Sequence, residues 1–215
     1  MPRSERGRPS FERCRRFVSV SFIEGRHRRG APQGCSEVHR LREETNRGFG
    51  FQPGSQRMEG QSEKIRGILK QAGITVPPVD VTKVAELFSI PVIPYPDFPE
   101  DISGTIVRLD DNGKAVIGIN QKHAAVRQRF TVAHELGHYL CGHDDRTIVD
   151  DRLDKDSPKE TEANRFAAEL LMPRDLLVVD LKKGRFDIPA LAQRYQVSEQ
   201  AMSVRLLQSG LLKKF

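Results

Sequence analysis

The sequence predicts an α+β fold. Helical periodicity brackets two β-rich runs, a hairpin-type turn joins those runs, and the chain beyond them reads as capped helices. Glu63 to Gln71 places Ile65, Ile68 and Leu69 on one face, which suits a short helix ended near Gly73. Val81 to Phe88 repeats the pattern with Val84, Ala85, Leu87 and Phe88, and Pro91 closes it. Ile102–Leu109 and Lys114–Ile119 are the β-rich runs, with Asp110-Asp111-Asn112-Gly113 between them as a turn.

The next helix begins its first turns around Arg127, with Phe130, Ala133, Gly137 and Leu140 on its buried face. Asn120 is the expected N-cap and Gly142 the expected stop. Gly137 costs about 1 kcal/mol against alanine inside a helix, so close approach of another segment is expected there. The same helix contains His134-Glu135-Leu136-Gly137-His138. Side chains four apart stack on one helical face, so His134 and His138 can reach a single metal ion. Glu135 falls beside that ion and not over it, where it can take a proton from water. Two imidazoles and a carboxylate at this spacing point to zinc-dependent hydrolysis.

A catalytic zinc keeps three protein ligands, and the third is expected from the segment after Ser157. Ser157 as N-cap, Pro158 at the first position and Glu160 three past the cap make a strong helix start. Ala163, Phe166, Ala167, Leu170 and Leu171 form the apolar stripe, and Pro173 ends it. Glu160 is the expected ligand, with Asn164 one turn on to orient a neighbouring ligand. Glu162 lies about 200° around the helix from Glu160, so the two should not both bind. Glu162, His143 and Asp144 stand as alternatives. Without a metal role, Glu160 would complete a capping box and Glu162 would be a solvated charge.

Arg-x-Arg-Phe-Thr-Val-Ala-His-Glu-Leu-Gly-His-Tyr-Leu (127–140) and Glu-x-Glu-Ala-Asn-x-Phe-Ala-Ala-Glu-Leu-Leu-Met-Pro (160–173) resemble the ImmA/IrrE family of zinc metallopeptidases. The resemblance runs from about residue 60 to the C-terminus. It implies a compact gluzincin-like domain, with zinc on His134, His138 and Glu160 and with Glu135 as general base. The third ligand follows from the family spacing E-x-x-A-N, which Glu160 satisfies and Glu162 does not. It also implies a protein substrate, a helix-turn-helix repressor whose cleavage derepresses its genes. A regulatory binding module with a structural metal is the rival reading, and a DNA-binding regulator is another.

Around the site, the hairpin either covers the core or offers an edge strand to an extended peptide. The stretch 143–156 holds six aspartates and either favours basic substrate segments or is simply solvated. Tyr95, Tyr139, His123 and His143 are candidates for stabilising an oxyanion. Residues 187–211 read as a helix-turn-helix-like pair, with Ser198 capping the second helix and Gly210 ending it. That second helix offers only Arg205, too little charge for a phosphate footprint, so nucleic acid is not the expected partner.

The formal charge of +6 is unevenly distributed. Residues 1–57 hold 13 Arg, no Lys, 6 Glu and no Asp, while 58–215 hold 22 basic and 23 acidic residues. The basic tail is expected to be disordered, and its abrupt change of usage suggests either a natural start at Met58 or a basic arm that contacts nucleic acid or an acidic partner. Residues 58–215 are then the single zinc-binding domain. No segment could span a membrane, and Phe17 to Ile23 is too short for a signal-peptide core. Three cysteines make no disulfide framework and suit a reducing cytoplasm, with Cys141 expected as a small buried thiol.

Overall fold

The structure, a computed structural model, describes residues 54–109, 114–143 and 157–211. The expectations for the arginine-rich tail before residue 54, the turn at 110–113 and the acidic stretch 144–156 lie outside the described residues. The fold is α+β, as predicted: seven helices and a three-stranded sheet among the described residues.

Helix α1, Gly54–Gln71, starts earlier than the apolar pattern indicated and buries Ile65, Ile68 and Leu69. Gly73, at φ +64°, ends it in the left-handed conformation that glycine adopts freely. In α2, Val81–Leu87, Asp80 is the N-cap, its carboxylate accepting from the Thr82 and Lys83 amides at 3.0 and 3.1 Å.

Strand β1, Val92–Tyr95, was not anticipated: Pro91 reads as the stop of the preceding helix, and Pro94 lies inside the strand. It pairs in parallel with β3, Ala115–Asn120, from Val92↔Ile117 to Tyr95↔Asn120. Strand β2, Gly104–Arg108, pairs with β3 in antiparallel from Gly104↔Ile119 to Arg108↔Ala115. The order β1-β3-β2 leaves β1 at an edge, the place where a proline inside a strand is tolerated. Central β3 buries Val116, Ile117 and Ile119.

Asn120 does not cap the following helix. It is fully buried at the end of β3, and its amide donates to the carbonyls of Pro99 (3.0 Å) and Ile102 (2.9 Å). Its oxygen accepts from the Lys122 amide at 3.0 Å. A buried side-chain amide must satisfy its donors locally, and the loop backbone offers the partners. Helix α3, Ala125–Leu140, instead starts at an Ala124 cap with no side-chain hydrogen bond.

Helix α4, Pro158–Leu171, has the expected start, with Ser157 Oγ accepting from the Glu160 amide at 3.2 Å. It lies directly on α3. A Cβ built on Gly137 would sit 3.1 Å from both the Cα and carbonyl oxygen of Ala163, and 3.2 Å from Phe166 Cβ. That near-contact of backbones is the close approach the glycine allows.

Helix α5, Arg174–Lys182, was also not anticipated; α6, Ile188–Tyr195, and α7, Glu199–Gln208, form the expected C-terminal pair. Asp187 and Ser198 cap them. Asp180 joins α5 to α6: its buried carboxylate accepts from Arg185, from Arg194 at 2.9 Å and from the buried Tyr195 hydroxyl at 3.0 Å. Arg205, the sole basic residue of α7, is 6% exposed and spent internally on Glu169 and the Met172 carbonyl. It is therefore not available to a phosphate.

Burial pushes the Asp180 carboxyl up, but hydrogen bonds from Arg194, Tyr195 and Arg185 outweigh it and hold the group below the usual carboxylate range. Its contribution to stability is therefore complete above the unfolded-state value of about 4 and fades as pH falls through the lower folded value. Asp180→Ala should destabilise the fold by about 1–3 kcal/mol near neutral pH by leaving the Tyr195 hydroxyl unpaired. Denaturant unfolding at a series of pH values checks this, the deficit shrinking as the medium becomes acidic.

Candidate metal centre

Two helices build the site. α3 presents His134 and His138 one turn apart towards α4, and the first turn of α4 presents Glu160 back to them. His134 Nε2 lies 2.9 Å from His138 Nε2. Glu160 spans both, with one oxygen 3.2 Å from His134 Nε2 and the other 3.1 Å from His138 Nε2. Burial raises the Glu160 carboxyl, but hydrogen bonds and charge from His134 and His138 overcome this and leave it well below the ordinary range.

Asn164, one turn along α4, fixes the outer nitrogen of His134: its Oδ1 accepts from His134 Nδ1 at 3.0 Å. In a neutral His134 the Nε2 lone pair then faces inward, towards the other two donors. Three donor groups converge within hydrogen-bond distance of one another, so His134, His138 and Glu160 form a group able to hold a metal ion. Ligands on a tetrahedral zinc sit about 3.3 Å apart, given Zn–N bonds of about 2.0–2.1 Å. The observed spacings of 2.9, 3.1 and 3.2 Å are close to that figure, and the donor set fits the ion. Glu135 is buried beside this group on α3 and is not one of its three donors.

Glu162 is not the solvated charge that its position relative to Glu160 suggested. Its carboxylate lies 3.3 Å from His143 Nε2, and the opposite ring nitrogen of His143 lies 3.0 Å from His138 Nδ1. Glu160 thus meets His138 directly on one side, and Glu162 is linked to its other side through His143. The sequence signal for this was the third histidine five residues after His138. Lys64 of α1 closes the periphery, donating to the Leu140 carbonyl at 2.8 Å. Burial lowers the pKa of its ammonium, while Cys141 and Glu162 act to raise it. Cys141 is a half-buried thiol.

The other candidates are placed as follows. Tyr139 is buried beneath Arg108, whose guanidinium carbon lies 5.3 Å from the ring centroid. Tyr95 packs edge-on to Phe98 in the sheet region. His123 meets the Glu100 carbonyl at 3.1 Å. His143 is committed to His138 and Glu162.

Residues 86–207 match the IrrE N-terminal-like domain (Peptidase_M78), from the end of α2 to α7 and across both site helices. The chain belongs to the IrrE N-terminal-like peptidase family. Its fold is that of the family resemblance, a compact α+β domain around the two signature helices. None of the curated proteins matches the chain. A solved structure of a Mycobacterium tuberculosis transcriptional regulator aligns with 81% of this chain at 19% identity and a TM-score of 0.50. The chain covers 52% of that regulator's length, and the likeness is one of fold alone. No helix among the described residues is long and apolar enough to cross a membrane.

Gly137→Ala tests the packing of this centre. Helix propensity alone would stabilise by about 1 kcal/mol. The added methyl, however, meets the α4 backbone at 3.1 Å and must push Glu160 away from the histidines. The variant should melt no higher than the parent and hold metal more weakly, as read by thermal unfolding with and without zinc.

Proposed function

We propose that the chain is a zinc-dependent endopeptidase with His134, His138 and Glu160 as metal ligands and Glu135 as general base. The convergence of those three donors beside a buried carboxylate, within a peptidase domain, is the observation that carries this reading. Bound zinc would supply Lewis-acid polarisation of the scissile carbonyl and of water. Asn164 accepts from His134 Nδ1, so that a neutral His134 offers its inward Nε2 lone pair to the metal. Glu135 accepts the proton of the attacking water and passes it to the leaving amine nitrogen, as base and then acid.

The substrate segment lies along β2. The Asn120 amide bonds to the Ser103 carbonyl and the Leu109 amide to the Lys114 carbonyl, so the alternation turns the backbone groups of Gly104, Ile106 and Arg108 away from β3. Arg108 donates to the His143 carbonyl at 3.1 Å, tying the end of this edge strand to the metal helix. An extended peptide added to β2 would therefore run past the site. The family resemblance makes a helix-turn-helix repressor the substrate, cleaved in the cytoplasm to release its genes. The burial of Arg205 argues against the rival DNA-binding reading.

Two measurements test this. The protein with zinc, mixed with the repressor encoded beside its gene, should give defined fragments by intact mass. Glu135→Gln should slow their appearance by about 10²–10⁴-fold, and equal fragmentation by both would remove Glu135 from its role. Glu160→Ala should lose stoichiometric zinc; full retention would remove Glu160 from the ligand set.

A further inference from the structure

The side of His138 that faces away from the metal-binding group is also built. Where α3 stops, Cys141 is the C-cap and Gly142, at φ +72°, takes the left-handed turn. The His143 amide then donates back to the His138 carbonyl (3.0 Å), and the Gly142 amide to that of Tyr139 (3.3 Å). This is the paired bond pattern of a Schellman stop. It folds His143 back under His138, ring against ring, with centroids 5.1 Å apart. The Arg108 bond to the His143 carbonyl fixes the turn from the other side.

Proton accounting then orders the side chains. A neutral imidazole has one N–H and one lone pair. If His138 gives its Nε2 lone pair to a metal, its proton sits on Nδ1, pointing at His143 Nδ1 at 3.0 Å. His143 must accept there, so its own proton sits on Nε2. At that nitrogen the Glu162 carboxylate, at 3.3 Å, accepts. His143 is 7% exposed, leaving bulk water little access to substitute for either contact.

We propose that His143 and Glu162 are positioning residues, a two-step hydrogen-bond relay that locks His138 in the tautomer and ring orientation needed to bind metal through Nε2. The relay rests on the proposed metal centre of His134, His138 and Glu160. It also decides between two uses of the same atoms, because Cys141, His143 and Glu162 lie close enough to hold an ion themselves. For His143 to ligate through Nε2, its proton would have to move to Nδ1. His138 would then accept at Nδ1 and carry its proton on Nε2, the atom the first group requires. With neutral imidazoles the two metal sites exclude each other, and the arrangement around Glu160 selects the first.

The test uses the full chain and zinc alone. Zinc stoichiometry and affinity are measured by chelator competition for wild type, His143→Ala, His143→Asn, Glu162→Gln and Cys141→Ser, and the His138 tautomer is read from ring ¹⁵N shifts in zinc-free protein. The relay predicts one zinc per chain, with binding about 10–100-fold weaker in His143→Ala. It further predicts a mixed His138 tautomer in that variant. His143→Asn should restore both readouts, since its Oδ1 replaces the accepting Nδ1, which a purely packing role for the ring would not allow. Cys141→Ser should bind zinc as the wild type does. If His143→Ala does not fold, Glu162→Gln carries the test through a weakened tautomer preference. Wild-type affinity and tautomer in His143→Ala and Glu162→Gln would overturn the relay while leaving the metal centre intact. Two zinc ions per chain, one lost in Cys141→Ser, would overturn it in favour of a second metal site. A wild type that binds no zinc would overturn the metal reading itself, and the relay with it.

Discussion

The contact of Gly137 with the backbone of α4 is the constraint on which the site depends. Two of the three metal-capable donors stand on α3 and the third on α4, so the separation of the helices sets the separation of the donors. Hydrogen-bond and coordination distances tolerate only a few tenths of an ångström, whereas side-chain packing commonly holds helix axes about 8–10 Å apart. A hydrogen in place of a methyl at residue 137 lets Ala163 come within touching distance, and Glu160 reaches both imidazoles without leaving its first-turn position. The cost of a glycine inside a helix is small beside the geometry it secures.

The local signals in the sequence were those most faithfully kept by the fold. The His-Glu-Leu-Gly-His helix, its stop at Gly142, the Ser157-Pro158 start and the Ser198 cap are all written in residues within a turn of the feature they specify. Strand β1 was hidden for the opposite reason. Its pairing partner β3 lies more than twenty residues away, and Pro94 masks a run that only edge placement makes acceptable. Asn120 misled because its cap-like chemistry is spent on the carbonyls of Pro99 and Ile102, which sequence alone does not bring near. Glu162 misled because helical angle was judged against Glu160 alone. A helix lying across another offers inward positions on both sides of the contact, and His143 fills the second.

Charge was the least transparent property. Arg205, Arg194 and Arg185 would count towards a basic surface in any tally of the C-terminal helices. In the fold they serve Glu169 and Asp180, and so act as struts between α4, α5, α6 and α7. A guanidinium with several donors suits this better than an ammonium would, since one side chain can satisfy a carboxylate and a carbonyl together, as Arg205 does. The helix pair that resembles a DNA reader in pattern is thereby tied by its arginines to α4 and α5.

The Schellman turn at 141–143 folds the end of α3 back on the His138 carbonyl, and Ser157 independently caps the start of α4. Each donor from His134 to His143, and each from Glu160 to Asn164, is thus anchored on one flank or the other of the intervening stretch. The donor set is thus fixed twice over, by the end of one helix and by the beginning of the next, so that each half keeps its own register.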